Sequence, residues 1–255
     1  MIGYPPLPHK LRTSIRDLQR ARYRDATRTF VVEGVRACEA LLGSALVPDV
    51  VVVGRDADPR AMQAASAFAL MGVDVLQALP RELELMCDAS TPQELLAVVP
   101  FPSSRPLGDR IVVLDGVRDP GNAGTIIRTA AWFGFTDAVV LEGSVDPFHP
   151  KVVRSTAGVI ARMNILRDAT TETWTSAWNA RGPIVATVVH GGTPPADVSV
   201  HDAVAILIGS EADGLSAASI AAASQLVTIP GTAGVESLNA AIAAGILCYE
   251  FRTRG

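Results

Sequence analysis

Hydrophobic and polar positions follow two rhythms along this chain. Short β-branched runs at Val50-Val51-Val52-Val53, Val73-Asp74-Val75-Leu76 and Leu95 to Val99 have the length of strands, while alanine-rich stretches at Val35 to Leu42 and Pro59 to Leu70 have the length of helices. Their alternation from Phe30 to Val99 predicts a small α/β domain. A second set comes after it, with strands predicted at Ile111 to Leu114, Ala138 to Leu141, Ile184 to Val189, Val204 to Ile208 and Leu226 to Ile229. Helices are predicted at Thr125 to Phe133 and Leu238 to Phe251. Between the sets, Pro100-Phe101-Pro102-Ser103-Ser104-Arg105-Pro106-Leu107-Gly108 is rich in proline and serine and has no period. This places a boundary there and divides the chain into residues 1–102 and 103–255.

Composition narrows the class. The 255 residues suffice for two ordinary domains, and no stretch reaches the 18 or so uninterrupted apolar residues of a membrane span. The start, Met1-Ile2-Gly3-Tyr4-Pro5-Pro6, lacks the basic and then apolar runs of a secretory signal, so a cytoplasmic protein is expected. Cys38, Cys87 and Cys248 are scattered without metal-like spacing; they are expected to be buried free thiols, with no metal site.

Charge position says more than charge total. Residues 1–36 hold eight basic residues against three acidic ones, a local charge of +5 on a chain of net charge −4, so the remainder carries −9. A basic segment on an acidic chain is the footprint of a region that meets phosphate, and equally that of a solvated helix face. Arg12, Arg16 and Arg20 recur every fourth residue and share one helical face, which Arg24 extends if the helix runs that far.

Parallel sheets bind ligands at the carboxyl ends of their strands, which directs attention to three loops. These are Asp115 to Gly124, Gly209-Ser210-Glu211-Ala212-Asp213-Gly214, and Pro230 to Asn239. Gly116, Gly121 and Gly124 do not form G-x-G-x-x-G and no P-loop is present, so an NAD-dependent oxidoreductase is disfavoured. The first loop instead carries Asn122-x-Gly124-x-x-x-Arg128, an amide at a helix start and a guanidinium about two turns in. Each residue alone has a plain structural use: Asn122 as an N-cap, Arg128 as a solvated side chain, Glu211 as the partner of an amide, Ser237 as the cap of the last helix.

In order and spacing, the three loops resemble the signature motifs of the SpoU family of RNA ribose 2′-O-methyltransferases, in the SPOUT superfamily. The matching segments are Leu114 to Ala130, Ile208 to Ser216, and Ile229-Pro230 followed by Glu236-Ser237-Leu238-Asn239-Ala240-Ala241. Lys151-Val152-Val153-Arg154-Ser155-Thr156-Ala157-Gly158 is similar to a further family segment, and Tyr23 to Leu42 is similar to the ribosomal-protein-like domain of rRNA-directed members.

The resemblance implies an α/β fold whose carboxy-terminal SPOUT domain forms a deep trefoil knot around a parallel sheet, beside a small amino-terminal α/β domain that reads RNA. It implies S-adenosylmethionine as cofactor, with Gly209, Ile229, Leu238 and Thr187 as its contacts. It also implies a catalytic set of Arg128, Asn122, Glu211, Ser237 and Asn239. Because an arginine side chain stays protonated in proteins, Arg128 is expected to grip a phosphate and favour a developing alkoxide, with Asn122, Ser237 and Asn239 orienting it and Glu211 holding the loops together. Arg12, Arg16, Arg20, Arg24 and Arg154 are the RNA-contact candidates. The expected partners are 23S-type rRNA and a second copy of the chain, paired through a face of the last helix holding Leu238, Ile242, Gly245 and Tyr249. A catalytically silent rRNA-binding assembly factor and a tRNA-directed enzyme are the competing readings.

Overall fold

The computed structural model describes residues 3–252 other than Ser90, Pro92, Ser104, His201 and 233–235. One residue of the predicted linker and part of the third loop therefore lie outside the described residues. The first hundred residues form α1 (His9–Asp17), α2 (Ala21–Thr27), β1 (Thr29–Glu33), α3 (Val35–Glu39), β2 (Val50–Gly54), α4 (Pro59–Leu70), β3 (Asp74–Ala78), α5 (Pro80–Met86) and β4 (Leu95–Pro100). Then come β5 (Arg110–Asp115), α6 (Pro120–Trp132), β6 (Asp137–Leu141), α7 (Pro150–Ser155), β7 (Asn164–Ala169), α8 (Thr171–Trp178), β8 (Ile184–Thr187), β9 (Val204–Gly209), α9 (Ala217–Ala222), β10 (Gln225–Val227) and α10 (Ala240–Glu250).

These elements make two compact units. Met1–Ser103 joins Phe148–Arg162 in one, and Ser104–Pro147 joins Met163–Gly255 in the other. This differs from a single cut after residue 102, because residues 148–162, deep in the second half of the sequence, pack with the first.

The amino-terminal unit is built on a four-stranded sheet of order β1-β4-β2-β3, in which only β2 and β3 run parallel. α4 shows how its local sequence works. Asp58 caps the helix by accepting from the Ala61 amide at 2.7 Å, Pro59 supplies the fixed first turn, and Ala61, Ala64, Ala65 and Phe68 recur on the buried face. α7 reaches the same unit through Phe148, whose ring stacks on Phe101 at 4.4 Å and tilts onto Phe30 at 4.8 Å. Close packing also fixes Gly158, with φ +92° and an added Cβ only 2.8 Å from that of Ala40.

The basic amino-terminal segment is not one helix. Successive amides from Leu18 to Arg20 bond three residues back, a tightened turn that ends α1 and rotates the helix after it. Arg24 is thereby turned inward, 1% exposed, and its guanidinium donates to the Leu18 and Gln19 carbonyls at 2.8 and 3.0 Å. The predicted continuation of the arginine face to Arg24 is corrected: this side chain satisfies carbonyls left bare by the broken helix.

The carboxy-terminal unit holds a six-stranded sheet of order β10-β8-β9-β5-β6-β7 with every pairing parallel. Both faces of such a sheet are covered, which explains why Ile111 to Leu114 and Ala205 to Leu207 read as continuous apolar runs and are all buried. Trp174 and Trp178 of α8 cover one face, packed against Ile111, Val113, Val139 and Leu207. The sequence pattern does not predict β1 and β7, nor α5, α7, α8 and α9. Cys38 and Cys248 are buried as expected, whereas Cys87 is half-buried; burial pushes its thiol up to about 11 and that of Cys248 to about 12. Among the described residues no helix is long and apolar enough to cross a membrane.

Arg154, an RNA-contact candidate, is engaged within the amino-terminal unit. Its guanidinium lies 2.9 Å from Asp88 and 3.6 Å from Glu33, whose carboxylate also accepts the Asp88 amide at 2.8 Å. Burial raises the Glu33 carboxyl above its ordinary range, against the opposing pull of the Asp88 amide and Arg154. Arg154→Ala strands that carboxylate and is expected to cost about 2 kcal/mol in urea unfolding, less than a fully buried pair because Arg154 is partly exposed. An Arg154→Ala protein with wild-type stability and weakened RNA binding would instead show that the side chain is spent on RNA.

Candidate active site

In the parallel sheet, β6 and β7 lie on one side of β5 while β9, β8 and β10 lie on the other. The loops after β5 and β9 therefore part company at a point where strand order reverses, the usual crevice for a ligand in an open α/β sheet. Asp115 and Gly209 are paired across this point, so both loops leave from one place. The cleft there holds about 170 Å³ and is lined by Gly116, Arg118, Asp119, Asn122, Ser210 and Glu211 among others.

Each loop is tied down by short-range bonds. Gly116 donates to the Ser144 hydroxyl at 2.9 Å, and that hydroxyl donates to the Leu114 carbonyl at 3.0 Å, fixing the chain where it leaves β5. The Asp119 side chain accepts the Asn122 amide at 2.8 Å, so Asp119 rather than Asn122 caps α6, with Pro120 in the first turn. Gly209 approaches the second loop so closely that an added Cβ would lie 2.4 Å from the Gly214 carbonyl carbon, and the loop is closed by paired main-chain bonds between Ser210 and Gly214. Asp115 reaches over to accept the Ser216 amide at 2.7 Å.

The three loops meet at one carboxylate oxygen. Glu211 Oε1 accepts from Asn122 Nδ2 at 2.9 Å, from Asn239 Nδ2 at 2.6 Å and from the Ala240 amide at 3.4 Å. Asn239 Nδ2 also donates to Asn122 Oδ1 at 3.1 Å, while Asn239 Oδ1 accepts from the Ala241 and Ile242 amides and caps α10. Asn239, not Ser237, is thus the helix cap. Asn122, Glu211 and Asn239 come from motifs separated by up to 117 residues and form one cluster.

Arg128 and Ser237 stand outside that cluster. Both are exposed, and among the described residues neither side chain has a hydrogen-bond partner. Asn122 and Asn239 spend their amides on Glu211 and on each other rather than on Arg128. Arg128 instead lies on the exposed stripe of α6 with Thr125 and Trp132, while the other side of α6 packs against α10, with Thr129 beside Gly245.

The proposed cofactor contacts emerge at the same sheet edge. Thr187 ends β8 with its hydroxyl on the Leu207 carbonyl at 2.8 Å and lies in register with Val227 of β10; Gly209 ends the adjacent β9. Ile229 comes after β10 half-buried, and Leu238 is 45% exposed. Among the described residues no main-chain amide from Ile229 to Asn239 donates to a main-chain carbonyl.

The arginine face divides by partner. Arg12 is held by Glu82 at 2.6 Å, whereas Arg16 and Arg20 flank Asp17 at 3.6 and 3.7 Å and keep most of their exposure.

Comparison with known proteins places this arrangement. Residues 109–249, more than half of the chain, match the model of the SpoU rRNA Methylase family. The chain belongs to that family. Its residues 13–97 match the MRM3-like substrate binding domain. It is 29% identical over 239 residues, covering 92% of this chain and 93% of the relative, to a 23S rRNA (guanosine(2553)-2′-O)-methyltransferase, RlmP, of Bacillus subtilis. An AdoMet-bound rRNA methyltransferase from Sinorhizobium meliloti superposes with a TM-score of 0.84 at 30% identity, covering 97% of this chain and 96% of that one. The SpoU methyltransferase AviRb from Streptomyces viridochromogenes, solved with AdoMet, gives 0.84 at 27% identity and coverages of 95% and 97%.

Within this SpoU family member the sequence motifs overlooked Ser144 and gave no role to Asp115, which lies inside the first motif; both act through loop backbone. Asp119-Pro120 did carry a legible helix-start signal. If Glu211 is the tie, Glu211→Ala should raise amide exchange at residues 209–214 and 239–242 by about tenfold or more while β9 stays protected. Unchanged exchange in hydrogen–deuterium mass spectrometry would show that the loops are held by other means.

Proposed function

We propose that this RNA 2′-O-methyltransferase, whose methyl donor is S-adenosylmethionine, acts on a ribose of 23S-type large-subunit rRNA. The three-loop junction at Glu211, in a chain that aligns with an rRNA methyltransferase over 92% of its length, carries this reading. The alignment with a 23S rRNA methyltransferase over 92% of this chain and 93% of the relative favours rRNA over tRNA. Among the described residues no cluster of His, Cys, Asp and Glu could hold a metal ion, and the proposal uses none.

The donor set suits the cofactor. Among the described residues, the main-chain amides of Ile229, Gly231, Thr232 and 236–239 donate to no main-chain carbonyl and are available to the acceptor nitrogens of an adenine, and the Ile229 and Leu238 side chains offer apolar cover at the end of the sheet where Gly209 and Thr187 lie. When bound, S-adenosylmethionine supplies an electrophilic methyl group.

The chain's own residues then position the attacking oxygen. Arg128, exposed and without a protein acceptor, is free to grip the phosphate next to the target ribose and to favour negative charge on its 2′-oxygen. The proton leaves to that phosphate or to water, since a guanidinium does not take it. Glu211, Asn122 and Asn239 hold the loops in register for this, and Ser237 stands two residues before the cap Asn239, within the same motif. Arg16 and Arg20 supply exposed positive charge for the RNA backbone, with Arg12 contributing once released from Glu82.

The exposed strip of Leu238, Ile242, Ile246 and Tyr249 on and beside α10 is proposed as the interface of a homodimer, with Ile246 in place of Gly245, which faces Thr129 of α6. A trefoil knot in this unit and a cytoplasmic location complete the proposal.

Tritium from labelled S-adenosylmethionine should enter 23S rRNA, and the product should carry a 2′-O-methyl group that resists alkaline cleavage at one nucleotide. Labelling of tRNA alone would move the substrate, and binding of rRNA without transfer would favour a silent assembly factor. Arg128→Ala should lower kcat by at least about a hundredfold with S-adenosylmethionine affinity retained, and Arg128→Lys should also be poor because it lacks the planar fork. Near-normal turnover in either variant would refute the role given to Arg128. Neutralising Arg16 and Arg20 should flatten the logarithmic salt dependence of RNA binding by roughly 0.7 per contact. An unchanged slope would return them to the solvated surface.

A further inference from the structure

Arg28 occupies an unusual place among the basic residues of the amino-terminal unit. It caps the end of α2 in the left-handed region, φ 56° and ψ 35°, a conformation that costs an L side chain and that glycine or asparagine would adopt more readily. Its backbone is fixed there, because its carbonyl accepts the Phe101 amide at 2.7 Å. Its guanidinium lies over the Phe101 ring, 4.7 Å from the centroid. That ring is itself backed by Phe148 at 4.4 Å, and Phe148 by the fully buried Phe30 at 4.8 Å.

Charge partners divide the basic residues of this unit. Arg12, Arg16, Arg20, Arg60 and Arg154 all have a carboxylate within ion-pair distance. Arg28 falls with Arg22, Arg36, Arg55 and Arg81 among those that have none among the described residues, and it is exposed. A planar cation laid on a rigid aromatic column, held by a costly backbone conformation and left without a counter-charge, has the form of a platform for a flat, electron-rich group.

Resting on the RNA-directed function proposed above, we infer that Arg28 is a stacking plate for an unpaired nucleobase of the RNA substrate. The Phe101 ring, backed by Phe148 and Phe30, holds the guanidinium over its face, so the base pays little to order its partner. Single-stranded loops and bulges are the RNA features that offer a base for such stacking, and a duplex does not. Arg28 would thus sense an unpaired nucleotide, a task distinct from the backbone charge contacts of Arg16 and Arg20.

The test uses the full chain and an rRNA hairpin carrying 2-aminopurine at each unpaired loop position in turn, with a fully paired duplex of equal length as control. With the wild-type protein, fluorescence at one loop position should be quenched on binding. Arg28→Lys and Arg28→Gly should both lose that quenching and bind the hairpin about tenfold more weakly, with duplex binding unchanged. Arg28→Gly should unfold in urea at or above the wild-type midpoint, since glycine relieves the left-handed position, so a folding defect cannot imitate the loss. If Arg28→Lys keeps full affinity and Arg28→Gly lowers hairpin and duplex binding alike, the side chain is a phosphate contact and the plate is overturned. Wild-type binding with both variants unaffected also overturns it, leaving the function intact. A wild-type protein that binds no RNA would instead remove the function on which the inference rests.

Discussion

A single carboxylate oxygen, Oε1 of Glu211, receives hydrogens from the first turn of α6 after β5, the loop after β10 and the first turn of α10, while belonging itself to the loop after β9. Loops at the end of a parallel sheet have no ladder to hold them, and entropy favours their spreading. Hydrogen bonds to an ionised acceptor are roughly twice as strong as neutral ones, and three converging on one atom fix relative positions as well as distances. The carboxamides of Asn122 and Asn239 close the triangle by bonding each other. Remove the carboxylate and the two carboxamides keep one mutual contact, tied to α10 through the Asn239 cap and no longer to the loop after β9.

The sheet beneath makes that convergence possible. Because β5 and β9 are neighbours in register from Arg110 and Val204 to Asp115 and Gly209, their loops begin a strand spacing apart whatever their sequences do next. Ser144, Asp115 and Asp119 then shape the exits, each through a side-chain oxygen that takes a main-chain hydrogen. Cleft geometry here is a backbone property trimmed by small polar side chains, which leaves the outward-facing Arg128 unencumbered.

Much of this was legible in the sequence, for identifiable reasons. The central strands announced themselves because burial on both faces demands uninterrupted apolar runs, and the three motif loops because their residue types and order are shared with a known family. β7, Asn164–Ala169, stayed hidden because an edge strand with Arg167 and Asp168 on it lacks such a run. The arginine periodicity misled at Arg24: spacing predicts a shared face only while the helix continues, and a tightened turn at Leu18 to Arg20 ended it. At Asn122 the Asp119-Pro120 pair already signalled the earlier cap, whereas at Ser237 the choice was beyond reach, since Asn239 is an equally good capper. Ser144 gave no signal at all, because a serine in a loop becomes informative only once its neighbours in space are known.

The helix Pro150–Ser155, packed with the amino-terminal unit though encoded among the strands of the other, bears on how such a chain can be cut or recombined. Family models end at residue 97 and begin again at 109, which invites treating the two halves as interchangeable cassettes. A gene split at the linker would deliver a smaller product lacking Phe148 from its aromatic column and Arg154 from beside Glu33, and a larger product bearing that helix with nothing to pack on. Neither piece would be a self-sufficient folding module, and a chimera assembled at the linker would have to exchange residues 148–162 along with the front half to keep a native interior.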